Sequence, residues 1–166
     1  MRKPPTARFV NGVISAVIVV FFLVHGVLGS ASILTGYIGP LAWLVWCGVA
    51  IVAVHVVVSV VTSYQQLTDA EFPPSARKKR HLALKWATGI LLAVAAAVHI
   101  VLPKSAATAA FAIIAVSAFL AVHLCVGSKS LLTDLSVDKR FKTAFRVVVC
   151  VFAAAFVAVV LAALVK

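Results

Sequence analysis

Long apolar runs separated by short polar segments dominate this chain. Runs such as VISAVIVVFFLV (13–24) and VAVHVVVSVV (52–61) lack the two-residue alternation of a half-wetted strand or a membrane β-barrel. Their valines and isoleucines favour strands in water. In lipid, however, each segment must satisfy its own backbone hydrogen bonds, and that selects helix. Five segments reach the length of about 20 residues that crosses a bilayer as a helix. They are expected at about 9–30, 41–64, 82–102, 106–127 and 144–164. Gly and Pro mark the breaks: Pro4-Pro5, Gly36 with Gly39-Pro40, Pro73-Pro74 and Pro103. The break at Pro103 is so short that helices three and four must be antiparallel neighbours. The polar segment 128–143, SKSLLTDLSVDKRFKT, is expected to leave the membrane as a short surface helix with Leu131, Leu132 and Leu135 on one side.

Composition agrees with this pattern. Of the 166 residues 64% are hydrophobic and only 11% charged, with a mean hydropathy of +1.17. A water-soluble domain of this size could not hide so much apolar surface. The fold class predicted is all-α: an integral membrane bundle of five transmembrane helices forming one domain over 1–166. The MRKPPTAR start followed by an apolar run resembles a secretory signal, but the run is too long and reads as a helix that stays.

A net charge of +11 raises the question of nucleic acid, and its distribution answers it. Arg2, Lys3 and Arg8 precede the first span. Arg77, Lys78, Lys79, Arg80 and Lys85 fall between or just inside spans two and three, and Lys129, Lys139, Arg140, Lys142 and Arg146 between spans four and five. Only Lys104 and Lys166 fall on the other side. Thirteen basic residues against two is a positive-inside pattern, with the N-terminus inside and the C-terminus outside. The charges read as topology signals, and no nucleic-acid partner is expected. Asp69, Glu71, Asp134 and Asp138, all the acids, also lie on the inner side. Cys47, Cys125 and Cys150 show no CxxC spacing and read as small buried hydrophobes.

The chemistry rests on histidine. His25, His55, His99 and His123 lie within four different spans, where an ionisable residue is expensive and points to function. A neutral histidine bonded to a neighbouring carbonyl is the plainer reading of any one of them, and depth separates the two. Counting from the inner ends of spans one and three, His25 and His99 both lie roughly 25 Å deep at 1.5 Å per residue, near the outer face. Spans two and four run the other way, and His55 and His123 fall in the inner half. Four histidines therefore resolve into an outer pair and an inner pair. Two imidazoles at one depth on different helices can ligate one iron from both sides, and a flat apolar haem fills the space between helices. Without a CxxCH, such haems are b-type. Gly12, Ser15, Thr88 and Gly89 lie at the depth of the inner pair, where a ring would approach closely; Gly48 is placed to serve the outer one. Small residues also simply let helices approach. His81, beside RKKR, reads as a solvated or headgroup-facing residue.

Taken together, WATG (86–89) with His99 ten residues after its glycine, AVHLCVGSKSLLTD (121–134), the basic loop and a last span without histidine resemble a known family. They look like the five-helix di-haem cytochrome b membrane anchor of succinate dehydrogenases and fumarate reductases. The resemblance implies that His55 and His123 ligate the haem nearer the soluble subunits, and His25 and His99 the distal one. It further implies a flavoprotein and an iron–sulfur subunit on the inner side, a bacterial cytoplasmic membrane, and a membrane quinone, expected to be menaquinone, as substrate. Some members carry a carboxylate just before the fourth-span histidine; here that neighbourhood is FLAVH, with Ala121.

For the quinone, the hydroxyl cluster after His25 (Ser30, Ser32, Thr35 and Tyr37) is the outer candidate, with Ser30, Ser32 and Tyr37 expected to line the site. Tyr64, Gln65, Lys85 and Trp86 form an inner rival. Other readings are a di-haem anchor for a different quinone-linked oxidoreductase, a stand-alone cytochrome, and a haem-free membrane scaffold or transporter.

Overall fold

The structure, a computed structural model, describes residues 7–36, 42–71, 73–101, 106–138 and 140–164. These residues form five helices: α1 Ala7–Thr35, α2 Ala42–Thr68, α3 Ala76–Val101, α4 Ala106–Asp134 and α5 Phe141–Leu164. The fold is all-α, and each helix is long and apolar enough to cross a membrane. At 29 residues, α1 and α4 span about 43 Å, well beyond the roughly 30 Å of hydrocarbon.

Helices α2 to α5 exceed the expected spans at their charged ends, whereas α1 gains most at its far end, from 30 to Thr35. RKKRH (77–81) is helical rather than looped, because Lys and Arg are good helix formers once a cap starts the helix. That cap is Ser75, whose Oγ accepts from the Lys78 amide (3.3 Å) while its carbonyl accepts from Lys79 (3.0 Å). At the far end of α1, Gly36 takes a positive φ of 71° and its amide bonds the Ser32 carbonyl at 2.9 Å, closing the helix in a left-handed cap.

Residues 128–134 also differ from expectation. They do not form a separate surface helix but continue α4 to Asp134. The end is a Schellman motif: Ser136 has φ 58°, its amide bonds the Thr133 carbonyl (3.1 Å), and Val137 bonds that of Leu132 (2.8 Å). The three leucines do share a side, but that side faces the bundle. Leu132 is buried, and Leu135 packs on α1 where a Cβ at Gly12 would meet it at 3.3 Å. Tertiary packing keeps a polar segment helical.

Contacts between termini show how the chain alternates. Arg8 of α1 pairs with Asp134 of α4, Asn11 meets Ser59 of α2, Trp86 of α3 meets Ser63, and Arg146 of α5 meets Ser128. The starts of α1, α3 and α5 and the ends of α2 and α4 therefore share one end of the bundle, which carries most of the described basic residues and is called the basic end below. Towards the other end, Phe156 covers Gly26 and Phe21 covers Gly48.

Helix α4 packs on α3, α5 and α1, and α1 packs on α2 and α5. On the remaining side, α2 and α3 are joined by the Trp86 indole donating to Ser63 Oγ at 3.1 Å. Helices α1 to α4 thus form a ring in which α1 faces α3 and α2 faces α4 across the middle, with α5 outside on α1 and α4. Among the described residues few apolar side chains are buried, and of those eight three are alanines and two are valines, beside Ile18, Leu44 and Leu132. Close approach of small residues is how helices pack when lipid removes the hydrophobic drive. Trp46 and Phe111, at 71% and 70% exposed, project outward as lipid-facing residues do.

Candidate functional site

The middle of that ring is not filled by protein. A cavity of about 310 Å³ opens there towards the basic end, within the range of sites that hold cofactors and ligands. His55 of α2 and His123 of α4 both line it, from diagonally opposite helices that are not in close contact with each other. Ile18, Phe22, Val52, Leu120 and Leu124 supply apolar wall.

Each of these histidines is held at Nδ1. Thr88 Oγ1 lies 3.0 Å from His123 Nδ1. That hydroxyl already donates to the carbonyls of Leu84 (2.9 Å) and Lys85 (3.1 Å), so its oxygen is left to accept and the imidazole donates. The network thereby assigns the proton of His123 to Nδ1 and a lone pair to Nε2. Ser15 does the same for His55 over a longer 3.4 Å, its own proton going to the Asn11 carbonyl at 2.8 Å. Ser59, 3.5 Å from His55 Nε2, donates to Asn11 Oδ1 at 3.2 Å. For His123, Nδ1 bonded to an acceptor with Nε2 left over is the state in which imidazole ligates a metal, whereas Nε2 of His55 lies against Ser59.

The two glycines of the inner site are packed against protein. A Cβ at Gly89 would meet His123 Cε1 at 3.2 Å, and one at Gly12 would meet Asp134 Cβ at 3.1 Å. Gly89 therefore leaves room for the ring of His123, and Gly12 for the end of α4, while both also line the cavity.

The mouth is cationic. Arg8, Lys78, His81 and Lys85 line it with a single acid, Asp134, whose carboxylate is engaged by Arg8 at 3.1 Å. His81 is half-buried in this rim. Of the inner quinone candidates, Lys85 and Trp86 line the cavity, whereas Tyr64 (67% exposed) and Gln65 face outward; Ser63 and Gln66 take those places.

His25 and His99 are outside this cavity. Both are half-buried, and the His25 ring stacks on Phe21 one turn earlier, with centroids 6.2 Å apart and planes within 7°. Phe21 also fills the space over Gly48. Ser30 and Ser32 lie in the last turns of α1; Tyr37 lies outside the described residues.

Asn11, Ser59 and Thr62 were not singled out from the sequence, although two carry a readable signal. Asn11 is four residues before Ser15 and Ser59 four after His55, so each shares a helix face with a residue already chosen. Among the described residues, no cluster of three or more His, Cys, Asp or Glu could hold a bare metal ion. Comparisons with protein-family models, with curated proteins and with solved structures find no match to this chain.

Proposed function

We propose that this protein is a membrane cytochrome carrying two b-type haems, one between His55 and His123 and one between His25 and His99. The observation that carries the reading is the pair His55 and His123: they come from opposite helices, line one cavity, and are both held at Nδ1 by a hydroxyl. When bound, each haem supplies an iron that takes up and releases one electron at a time. Thr88 and Ser15 would fix the imidazoles as Nε2 ligands, and Arg8, Lys78 and Lys85 would face the propionates at the mouth. The apolar wall of Ile18, Phe22, Val52, Leu120 and Leu124 would keep water from a bound haem.

Within this reading, the chain serves as the anchor of a succinate dehydrogenase or fumarate reductase type complex in a bacterial cytoplasmic membrane. A flavoprotein and an iron–sulfur subunit would dock at the basic end, and electrons would pass to or from a quinone, menaquinone by preference. The support is the order of the histidines along the chain and the concentration of charge at one end, where residues 65–81 and 128–143 can present a surface. Quinone is assigned to the other end, by Ser30, Ser32 and Tyr37. A reduced-minus-oxidised spectrum with a haem assay on purified protein tests the cytochrome; two haems per chain are expected, and none would end the reading. Co-purification of subunits with flavin and iron–sulfur clusters tests the complex.

A further inference from the structure

A second group of reactive side chains lies outside the ring, where α5 packs on α4. Cys125 of α4 and Cys150 of α5 have their sulfurs 4.0 Å apart, and both are free thiols. Each is nine residues from the basic end of its helix (Asp134 and Phe141), so the two sit at one level about 13 Å in. Arg146 is anchored beside them: Nη2 and Nε donate to the Cys125 carbonyl at 2.7 and 3.1 Å, and Nε also to Ser128 Oγ at 2.9 Å. Both thiols and Arg146 line a shallow recess with Ala121, Val122 and Val126, on the outer surface of the bundle. Cys150 is exposed there and Cys125 half-buried. Two thiols in contact across a helix interface, beside a fixed cation and open to an apolar medium, form a site for oxidation.

We propose that Cys125 and Cys150 are a reversible thiol pair that reacts with hydroperoxides reaching it from the bilayer. The exposed Cys150 sulfur attacks the terminal oxygen of the hydroperoxide and the O–O bond breaks. The departing alkoxide takes the thiol proton and leaves as the alcohol, and Cys150 becomes a sulfenic acid. The Cys125 sulfur then attacks that sulfur; the S–O bond breaks, and hydroxide leaves with the Cys125 proton as water. The sum is two thiols and one hydroperoxide giving one disulfide, one alcohol and one water. The product ties α4 to α5 two residues from His123, and the proposal does not depend on haem being bound there.

The test uses the full chain in membranes with Cys47→Ser, leaving the two thiols to be counted with a maleimide reagent. After tert-butyl hydroperoxide, both thiols should be lost together and both recovered with dithiothreitol, with a Cys125–Cys150 linked peptide seen by mass spectrometry. Hydrogen peroxide, which partitions poorly into lipid, should act more slowly. In Cys125→Ser, Cys150 should still be oxidised but should not form the intramolecular link. Unchanged labelling after tert-butyl hydroperoxide, or loss that dithiothreitol does not reverse, overturns the proposal. So do cross-links between chains in place of the internal one.

Discussion

Thr88 Oγ1 sits 3.0 Å from Nδ1 of His123, and its own proton is already committed to the carbonyls one turn back. One threonine on α3 thereby sets the tautomer of a histidine on α4. Outer partners of this kind typically change metal affinity by about 10–100-fold when removed. Thr88→Val keeps the volume of a buried residue and deletes only the hydroxyl, whose bonds to the Leu84 and Lys85 carbonyls stay within the helix. Haem retention at the inner site should fall within that range, and Thr88→Ser should restore it. Equal retention in both variants, measured by haem titration of the apoprotein, would show that Thr88 only packs.

The pairing makes a prediction that single variants alone cannot. His55→Ala and His123→Ala should each lose one of two haems, and the double variant should lose no more than either single. His55→Ala combined with His99→Ala should lose both. Haem-to-protein ratios across this set decide the matter. A His55→Ala, His123→Ala double variant with no haem at all would refute the pairing.

Gly89 tests how tightly His123 is seated. Alanine there would gain roughly 1 kcal/mol of helix propensity, so the helix itself should tolerate it. Its Cβ, however, would lie 3.2 Å from His123 Cε1, and that ring is pinned on its Nδ1 side by Thr88. Gly89→Ala should therefore yield a folded bundle with a displaced ligand: weaker haem retention and a shifted low-spin spectrum, short of the loss in His123→Ala. Unaltered spectra would mean that the ring has room to give.

How far the sequence reveals this site depends on the kind of signal. Hydropathy made all five helices legible, because the bilayer imposes length and composition directly. Depth alone placed His55 and His123 together, since a helix converts residue count into distance. The rest needed packing. A glycine announces a close neighbour without naming it: Gly48 was matched to a haem, and its neighbour in the fold is Phe21. The segment 128–134 looked polar enough to leave the membrane, yet Leu131 and Leu132 hold it to the bundle as part of α4. Asn11 and Ser59 are ordinary polar residues until the ring brings α1 and α2 together.

Arg146 predicts stability rather than chemistry. Its guanidinium makes three hydrogen bonds, to the Cys125 carbonyl and to Ser128, which is fully buried. Hydrogen bonds from charged donors contribute about 1.5–3 kcal/mol. Ser128 also donates to the Cys125 carbonyl at 2.8 Å, so removing Arg146 leaves that acceptor satisfied. Arg146→Met should thus cost about 1–3 kcal/mol, read as a lowered midpoint in detergent unfolding. Arg146→Lys should recover only part, since a single ammonium cannot reproduce the two-nitrogen grip on that carbonyl.

Under the proposed function, the side on which quinone would react follows from which polar groups are already engaged. At the basic end, the Trp86 indole donates to Ser63 and the Gln66 amide to the Thr62 carbonyl, both within the wall of the cavity that we assign to haem. Lys85 lines the same cavity, where it would face a propionate. At the other end, Ser30 and Ser32 are half-buried at the close of α1, one to two turns beyond His25. A second haem near that face is useful only if electrons travel to it. Quinol exchange also needs hydroxyls beside an apolar wall to guide protons. Ser32→Ala and Tyr37→Phe should lower quinol turnover about 10-fold or more while leaving both haems bound, in line with loss of a positioned proton-transfer group. Lys85→Gln should instead weaken the inner haem. Turnover that survives His99→Ala and is abolished by Lys85→Gln, with both haems retained in the latter, would move the quinone to the basic end.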